Sequence, residues 1–278
     1  LGHKGKLFGL PLDPRDAKLI IVPVPWEATV SYHTGTANGP QAILDASYQV
    51  ELFQKNNNEA WRQGISMLPI ANELIEESNK IRSLVTNYID SEQPTDAANP
   101  MLNQINTACE NLNIHVKSVT KGFLQQGKRV GLVGGDHSTP LGFLKALNEK
   151  HDRFGILHID AHMDLRKAYQ GFTFSHGSIM YNALKLPAIS RIVQVGIRDY
   201  CEEEFENVKR SMGRVAVFFD EDLKAARFNG TQWDEICKHI LKELPEKVYI
   251  SFDIDGLDPK LCPNTGTPVP GGLDYDQA

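Results

Sequence analysis

The sequence predicts an α/β protein built on a mostly parallel sheet with helices over both faces. Three observations carry that reading. Short runs of aliphatic and β-branched residues recur along the chain, stretches of helical period separate them, and clusters of aspartate and histidine follow directly on several of the runs. Strand alternating with helix makes parallel sheets, and such sheets bind ligands beyond the carboxyl ends of their strands. At 278 residues and 41% hydrophobic, the chain can bury one large core or two smaller ones. No internal repeat or shift in character marks a boundary, so a single domain over residues 1–278 is expected.

The elements follow in order. LIIVPV (19–24), RVGLVG (129–134), FGILHID (154–160), RIVQVGI (191–197), RVAVFF (214–219) and KVYISFDID (247–255) have the length and composition of buried strands. GPQAILDASYQVELF (39–53) reads as a helix, with Pro40 suited to its first turn. Helical patterns also cover 70–89, 101–126, TPLGFLKALNEK (139–150) and TQWDEICKHILKEL (231–244). The polar tract at 56–58 and SEQPTDAANP (91–100) are rich in turn formers, and the second is expected to link two helices.

Composition narrows the function. A net charge of −6 with no Lys/Arg-rich run argues against nucleic acid. No apolar run approaches the ~20 residues of a membrane span, and the opening LGHKGKLFGLPLDPRD lacks the apolar stretch of a signal peptide. Cys109, Cys201, Cys237 and Cys262 lie far apart with no C-x-x-C pair, which points to reduced thiols and a cytoplasmic protein. A small molecule is the expected partner. Because the first residue is not Met and the chain stops at LDYDQA, both ends are expected to be clipped relative to the natural protein.

The chemistry gathers in three places. In HIDAHMD (158–164), Asp160, His162 and Asp164 occupy every second position, which on an extended chain puts them on one face, with His158 one step deeper as an orienting neighbour. GGDHS (134–138) adds His137, and SFDIDGLDP (251–259) adds Asp253 and Asp255, again two apart. One carboxylate pair at about 4 Å repels by roughly 4 kcal/mol even at an effective dielectric of 20, so protons or cations must relieve the cluster. Four carboxylates and two imidazoles without thiolate suit Mn2+, leave Ni2+, Co2+ and Fe2+ open, and argue against structural zinc. Six such side chains are too many for one ion and fit two that share bridging carboxylates. A hydroxide between two cations is a strong nucleophile near neutral pH. Asp136 and Asp258 read as turn caps or as partners that orient a ligand.

GGDHS, DAHMD and SFDIDGLDP, with TGTPVPGG (265–272) and the loop VPWEATVSYHTGTANGP (24–40), closely resemble the signature segments of the ureohydrolases: arginase, agmatinase, guanidinobutyrase, guanidinase and formiminoglutamase. The resemblance implies a three-layer α/β/α fold with a mostly parallel sheet of about eight strands and a binuclear manganese centre at its carboxyl edge. By motif position His137, Asp160, Asp164 and Asp253 would hold one ion, and Asp160, His162, Asp253 and Asp255 the other, with Asp160 and Asp253 bridging. Asp164 would carry a proton from hydroxide to the leaving amine. FTFSHGSIM places His176 at the family's pocket histidine, a proton shuttle; read by itself it is a loop or cap residue. GIRDY places Asp199 where arginase-like enzymes meet the substrate's α-amino group; read by itself it is a strand-end turn residue or a partner of Arg198. The implied reaction cleaves a guanidino C–N bond, releasing urea and an amine, in a homotrimer or homohexamer. The glutamate that holds the guanidinium in the family would come from a later strand, beyond Ala278, so the domain is expected to lack its C-terminal segment.

Within the family, His158 two residues before Asp160 resembles agmatinase, and the chain lacks the HGMP-like segment of arginases. Asp199 pulls toward arginase, and the helical insertion over 65–126 keeps guanidino-acid hydrolases and a nickel guanidinase open. The expectation is agmatinase-like activity. Two rivals are a two-metal phosphoesterase, which should add phosphate-binding arginines or backbone nests not seen around the ligands, and a metal-binding regulatory protein that has lost catalysis.

Overall fold

The computed structural model describes residues 3–57, 60–91 and 99–278. The linker expected within 91–100 and the end of the tract at 56–58 therefore lie largely outside the described residues. Contacts group the chain into two compact units, Leu1–Val30 with Thr34–Ala146 and Ser31–His33 with Leu147–Ala278.

The first unit contains strands β1 (Leu19–Val24), β2 (Ile65–Met67) and β3 (Arg129–Gly134), ordered β2-β1-β3 with both pairings parallel. Only β2 escapes the sequence pattern, because three residues are too few to show a period. Helix α1 (Gly39–Ala46) is shorter than expected. Its continuation is turned aside at Ser47, whose Oγ donates to Leu44 O at 2.6 Å and accepts from Phe8 N at 2.9 Å. Helices α2 (Asn72–Asp90) and α3 (Pro100–Gln125) match the predicted spans closely. Asn99 caps α3 by accepting from Met101 N and Leu102 N, and Pro100 sits where a missing N–H costs nothing. Ile81, Val85 and Tyr88 of α2, and Leu102, Ile105, Cys109, Leu112 and Val116 of α3, form the buried stripes that helical spacing requires. Helix α4 (Leu141–Lys150) follows β3.

The second unit is built on β4 (Phe154–Ile159), β5 (Ile189–Ile197), β6 (Val215–Phe219) and β7 (Val248–Phe252), ordered β6-β5-β4-β7 and parallel throughout. Four helices accompany it: α5 (Ile179–Ala183), α6 (Glu202–Arg210), α7 (Asp220–Phe228) and α8 (Trp233–Lys242). Val193 and Val195 of β5 form a buried cluster with Leu223 of α7 and with Ile236 and Ile240 of α8. The described residues thus hold seven strands in two parallel sheets, where about eight in one sheet were expected. No helix among them is long and apolar enough to cross a membrane.

Candidate metal centre

β4 delivers the site. Its ladder runs one step past the strand, with Asp160 N donating to Val195 O (3.2 Å) and Asp253 N to Ile159 O (2.9 Å). Two glycines let the backbone close around Asp160. A Cβ on Gly256 would stand 3.0 Å from Asp160 N, and one on Gly196, at φ +93°, would stand 3.2 Å from Asp160 O.

The pleat does not align the donors as the spacing suggested. β4 ends at Ile159, and Asp164 sits in the left-handed region at φ +54°, which costs a non-glycine residue about 1–3 kcal/mol. A turn does the work instead: Asp160 Oδ1 accepts from His162 N at 2.7 Å, and Ala161 O accepts from Arg198 N and Asp199 N. Likewise β7 ends at Phe252, and Asp253 heads a 3-10 turn (Ile254–Gly256) in which its Oδ1 accepts from Asp255 N at 3.0 Å.

The result is two groups of donors sharing Asp160. Asp160, His162 and Asp255 each present a ligand atom within 4.8 Å of the others, and so do His158, Asp160 and Asp164. His162 Nδ1 lies 3.0 Å from Asp255 Oδ2 and 3.4 Å from Asp160 Oδ1. Asp160 is 1% exposed, Asp164 4% and Asp255 5%. Burial alone would depress the His162 imidazole, but hydrogen bonds to Asp160 and Asp255 outweigh it and push its pKa up to about 11. Burial first, and then the Asp160 charge, push Asp255 up to about 6 against the pull of His162. Two buried carboxylates and an imidazole with ligand atoms this close together are a donor set that fits a divalent ion.

His158 lies within reach of the second group, but both of its nitrogens are engaged, which makes it an orienting neighbour and not a donor. Gln194 Nε2 lies 2.7 Å from Met163 O and 2.9 Å from His158 Nδ1. The nitrogen facing a carbonyl must donate, so the same amide gives its second hydrogen to Nδ1. The proton of His158 is then on Nε2, donated to Asp160 Oδ2 at 2.8 Å, which orients that carboxylate. Cys262 donates its S–H to Ile254 O at 2.9 Å and burial raises its pKa, so it stays a thiol outside the donor set.

Of the remaining expected residues, Asp253 belongs to neither group of donors among the described residues. Asp199 is exposed, with Oδ2 3.6 Å from His162 Nε2. Arg198 does not pair with it but donates to the carbonyls of Gly196, Asp255, Leu257 and Val269. His176 opens a 3-10 turn and meets Tyr169 edge-on, ring centroids 5.7 Å apart. His137 lies in the first unit, after a turn that only glycine can make: a Cβ on Gly135 would stand 2.2 Å from Trp26 O. Asp136 caps that turn, its Oδ1 accepting from Ser138 N at 2.8 Å, and burial pushes it up to about 6. Asp258 caps another, accepting from Lys260 N at 2.9 Å. Both capping roles were expected. Gln194 and Arg198 as supports were not, although a glutamine inside the apolar run RIVQVGI was a readable sign of a buried polar partner.

A family model described as Arginase, the arginase family, matches residues 17–278. The chain is 34% identical over 268 residues to the N(1)-aminopropylagmatine ureohydrolase of Thermus thermophilus, covering 94% of this chain and 75% of that protein. It is 30% identical over 275 residues to the agmatinase of Escherichia coli O1:K1, covering 95% and 73%. Among solved structures it is similar to the agmatine ureohydrolase of Thermoplasma volcanium, with a TM-score of 0.72, 26% identity, and 96% of this chain and 77% of that one covered.

Proposed function

Because the chain belongs to the arginase family, we propose that it is a two-metal ureohydrolase that splits a guanidinoalkyl amine into urea and an amine. The observation that carries the reading is the convergence of His162 Nδ1 with the buried carboxylates of Asp255, 3.0 Å away, and Asp160, 3.4 Å away. We assign one ion to His137, Asp160, Asp164 and Asp253 and the other to Asp160, His162, Asp253 and Asp255, on motif position. Oxygen and imidazole donors without thiolate favour Mn2+, with Ni2+ as the alternative.

When bound, the ions supply an activated water and the charge that stabilises a developing oxyanion. The chain does the rest. The carboxylates draw in a guanidinium, and Asp164 accepts a proton from the attacking water and returns it to the departing amine. His176 relays other protons between the site and bulk water, or stabilises the departing amine. Asp199, exposed beside His162, meets a cationic group on the substrate. Agmatine and N(1)-aminopropylagmatine, the compounds named for the relatives, both carry one. The protein acts as one catalytic domain, since the family match runs through both units. Its four free thiols suit the cytoplasm, and a homotrimer or homohexamer is its expected assembly.

Elemental analysis of freshly purified, unchelated protein, with urea release measured on a panel of guanidines under Mn2+ and under Ni2+, tests this. Two equivalents of divalent cation per chain and urea from guanidinoalkyl amines are expected. Hydrolysis of a generic phosphate ester but of no guanidine would overturn the reaction. Two ions with no turnover of either would favour the regulatory reading.

A further inference from the structure

We infer that α6 is a splint for Asp164, and that Glu204 and Asn207 are positioning residues acting through the backbone. The inference rests on the reading of Asp164 as a metal donor and proton carrier. Leu165, the next residue and fully buried, is gripped at both polar groups by side chains three apart on one helix face. Glu204 Oε1 accepts from Leu165 N at 3.0 Å, and Asn207 Nδ2 donates to Leu165 O at 2.9 Å.

A simple helix cap does not account for Glu204. A capping-box glutamate needs one oxygen for the N-cap N–H, and Glu204 Oε2 does that, accepting from Cys201 N at 3.0 Å. The other oxygen reaches back 39 residues, and the residue is 3% exposed while Glu202 and Glu203 face solvent. Arg166 Nε stands 3.6 Å from Oε2 and balances part of its charge. A carboxylate is not buried this deeply to cap an exposed helix of nine residues.

The grip matters because Asp164 is in the left-handed region at φ +54°, which is unfavourable for an L-residue even though aspartate visits it more readily than most. Its own carbonyl accepts from Met180 N (3.0 Å) and Tyr181 N (3.2 Å) at the start of α5. With α5 holding the carbonyl of Asp164 and α6 holding Leu165, the two peptides that follow Asp164 cannot turn. Release of either hold lets φ relax and swings the carboxylate away from His158 and Asp160, with which it shares the second donor group.

The test uses the whole protein with Glu204→Gln, Asn207→Ala and, as control, Cys201→Ala, which removes the other half of the capping box and leaves both grips intact. Glu204→Gln has one acceptor oxygen for two N–H donors, so one is orphaned without loss of bulk. Three readouts are compared: amide hydrogen exchange across 160–166, Mn2+ affinity by equilibrium dialysis, and kcat against KM for urea release. Both grip variants should exchange at least about tenfold faster over 160–166, bind Mn2+ about 10- to 100-fold more weakly, and lose kcat with KM little changed. Cys201→Ala should match the parent in all three. Parent-like exchange and Mn2+ affinity in both grip variants would overturn the inference, and so would equal losses in Cys201→Ala. A parent that takes up no Mn2+ would sink the two-metal reading, while the exchange result still decides the splint.

Discussion

Both units match some ionic groups with the main chain, as Glu204 and Arg198 are in the second, but only the second also gathers buried carboxylates side by side. In the first, ionic groups are matched by the main chain: Glu27 Oε2 accepts from Gly35 N at 2.6 Å and Ala37 N at 3.1 Å, Arg82 donates to Val30 O, and Asp136 takes Ser138 N. In the second, Asp160, Asp164 and Asp255 fall in two donor groups that share Asp160, with the His162 imidazole in one of them. The first unit uses charge to close loops. The second gathers carboxylates whose mutual repulsion must be relieved by protons or by cations.

Substitutions can break this contrast. The largest effect should come from Asp160→Asn, which removes the carboxylate both donor groups share. Urea release should fall at least about a thousandfold, ~4 kcal/mol of barrier, with loss of bound metal by elemental analysis. A fully active, metal-loaded variant would erase the distinction. His176→Asn should keep its metal and lose about a hundredfold in kcat, and parent-like kinetics would remove His176 from proton transfer. Glu27→Ala probes the first unit and should cost about 2 kcal/mol of stability by urea melt, because two backbone N–H groups lose their acceptor. Metal content should not change, and Glu27→Gln, whose amide oxygen can accept both, should restore most of the loss.

The smallest effect is a pH dependence in chelated protein. Asp136 and Asp255 have folded pKa values of about 6, above the ordinary 3.8, so the stability they favour is present below pH 4 and lost as pH rises through 6. His162, raised to about 11 from 6.5, contributes stability that is full below 6.5 and lost as pH rises through 11. Between pH 7 and 10, hydrogen exchange should therefore show protection falling in the second unit alone, by on the order of 1 kcal/mol at a side chain 23% exposed. Equal loss in both units would remove the contrast.

Much of this was legible in the sequence, for reasons that also explain the rest. Six strands announce themselves as apolar runs, but α6 buries only Glu204 among its nine residues, so a search for hydrophobic period had nothing to find there. α7 likewise buries Asp220 and Leu223 alone. At the site, residue types and their place after strands were informative where the assumed geometry was not. The rule of two ends with β4 at Ile159, and it is a turn around Ala161 and the φ of Asp164 that assemble the donors. The supports from Gln194 and Glu204 lie 36 and 39 residues from the groups they hold, a distance at which local pattern carries no information.

Arg198 has one more consequence. A hydrolase of guanidines carries guanidines of its own, and this one stands next to Asp199 and beside the Asp255 turn. Its Nε, Nη1 and Nη2 are tied to the carbonyls of Val269, Gly196, Asp255 and Leu257. A planar cation fastened on every nitrogen serves here as a brace, knitting three stretches of main chain together behind the Asp255 turn.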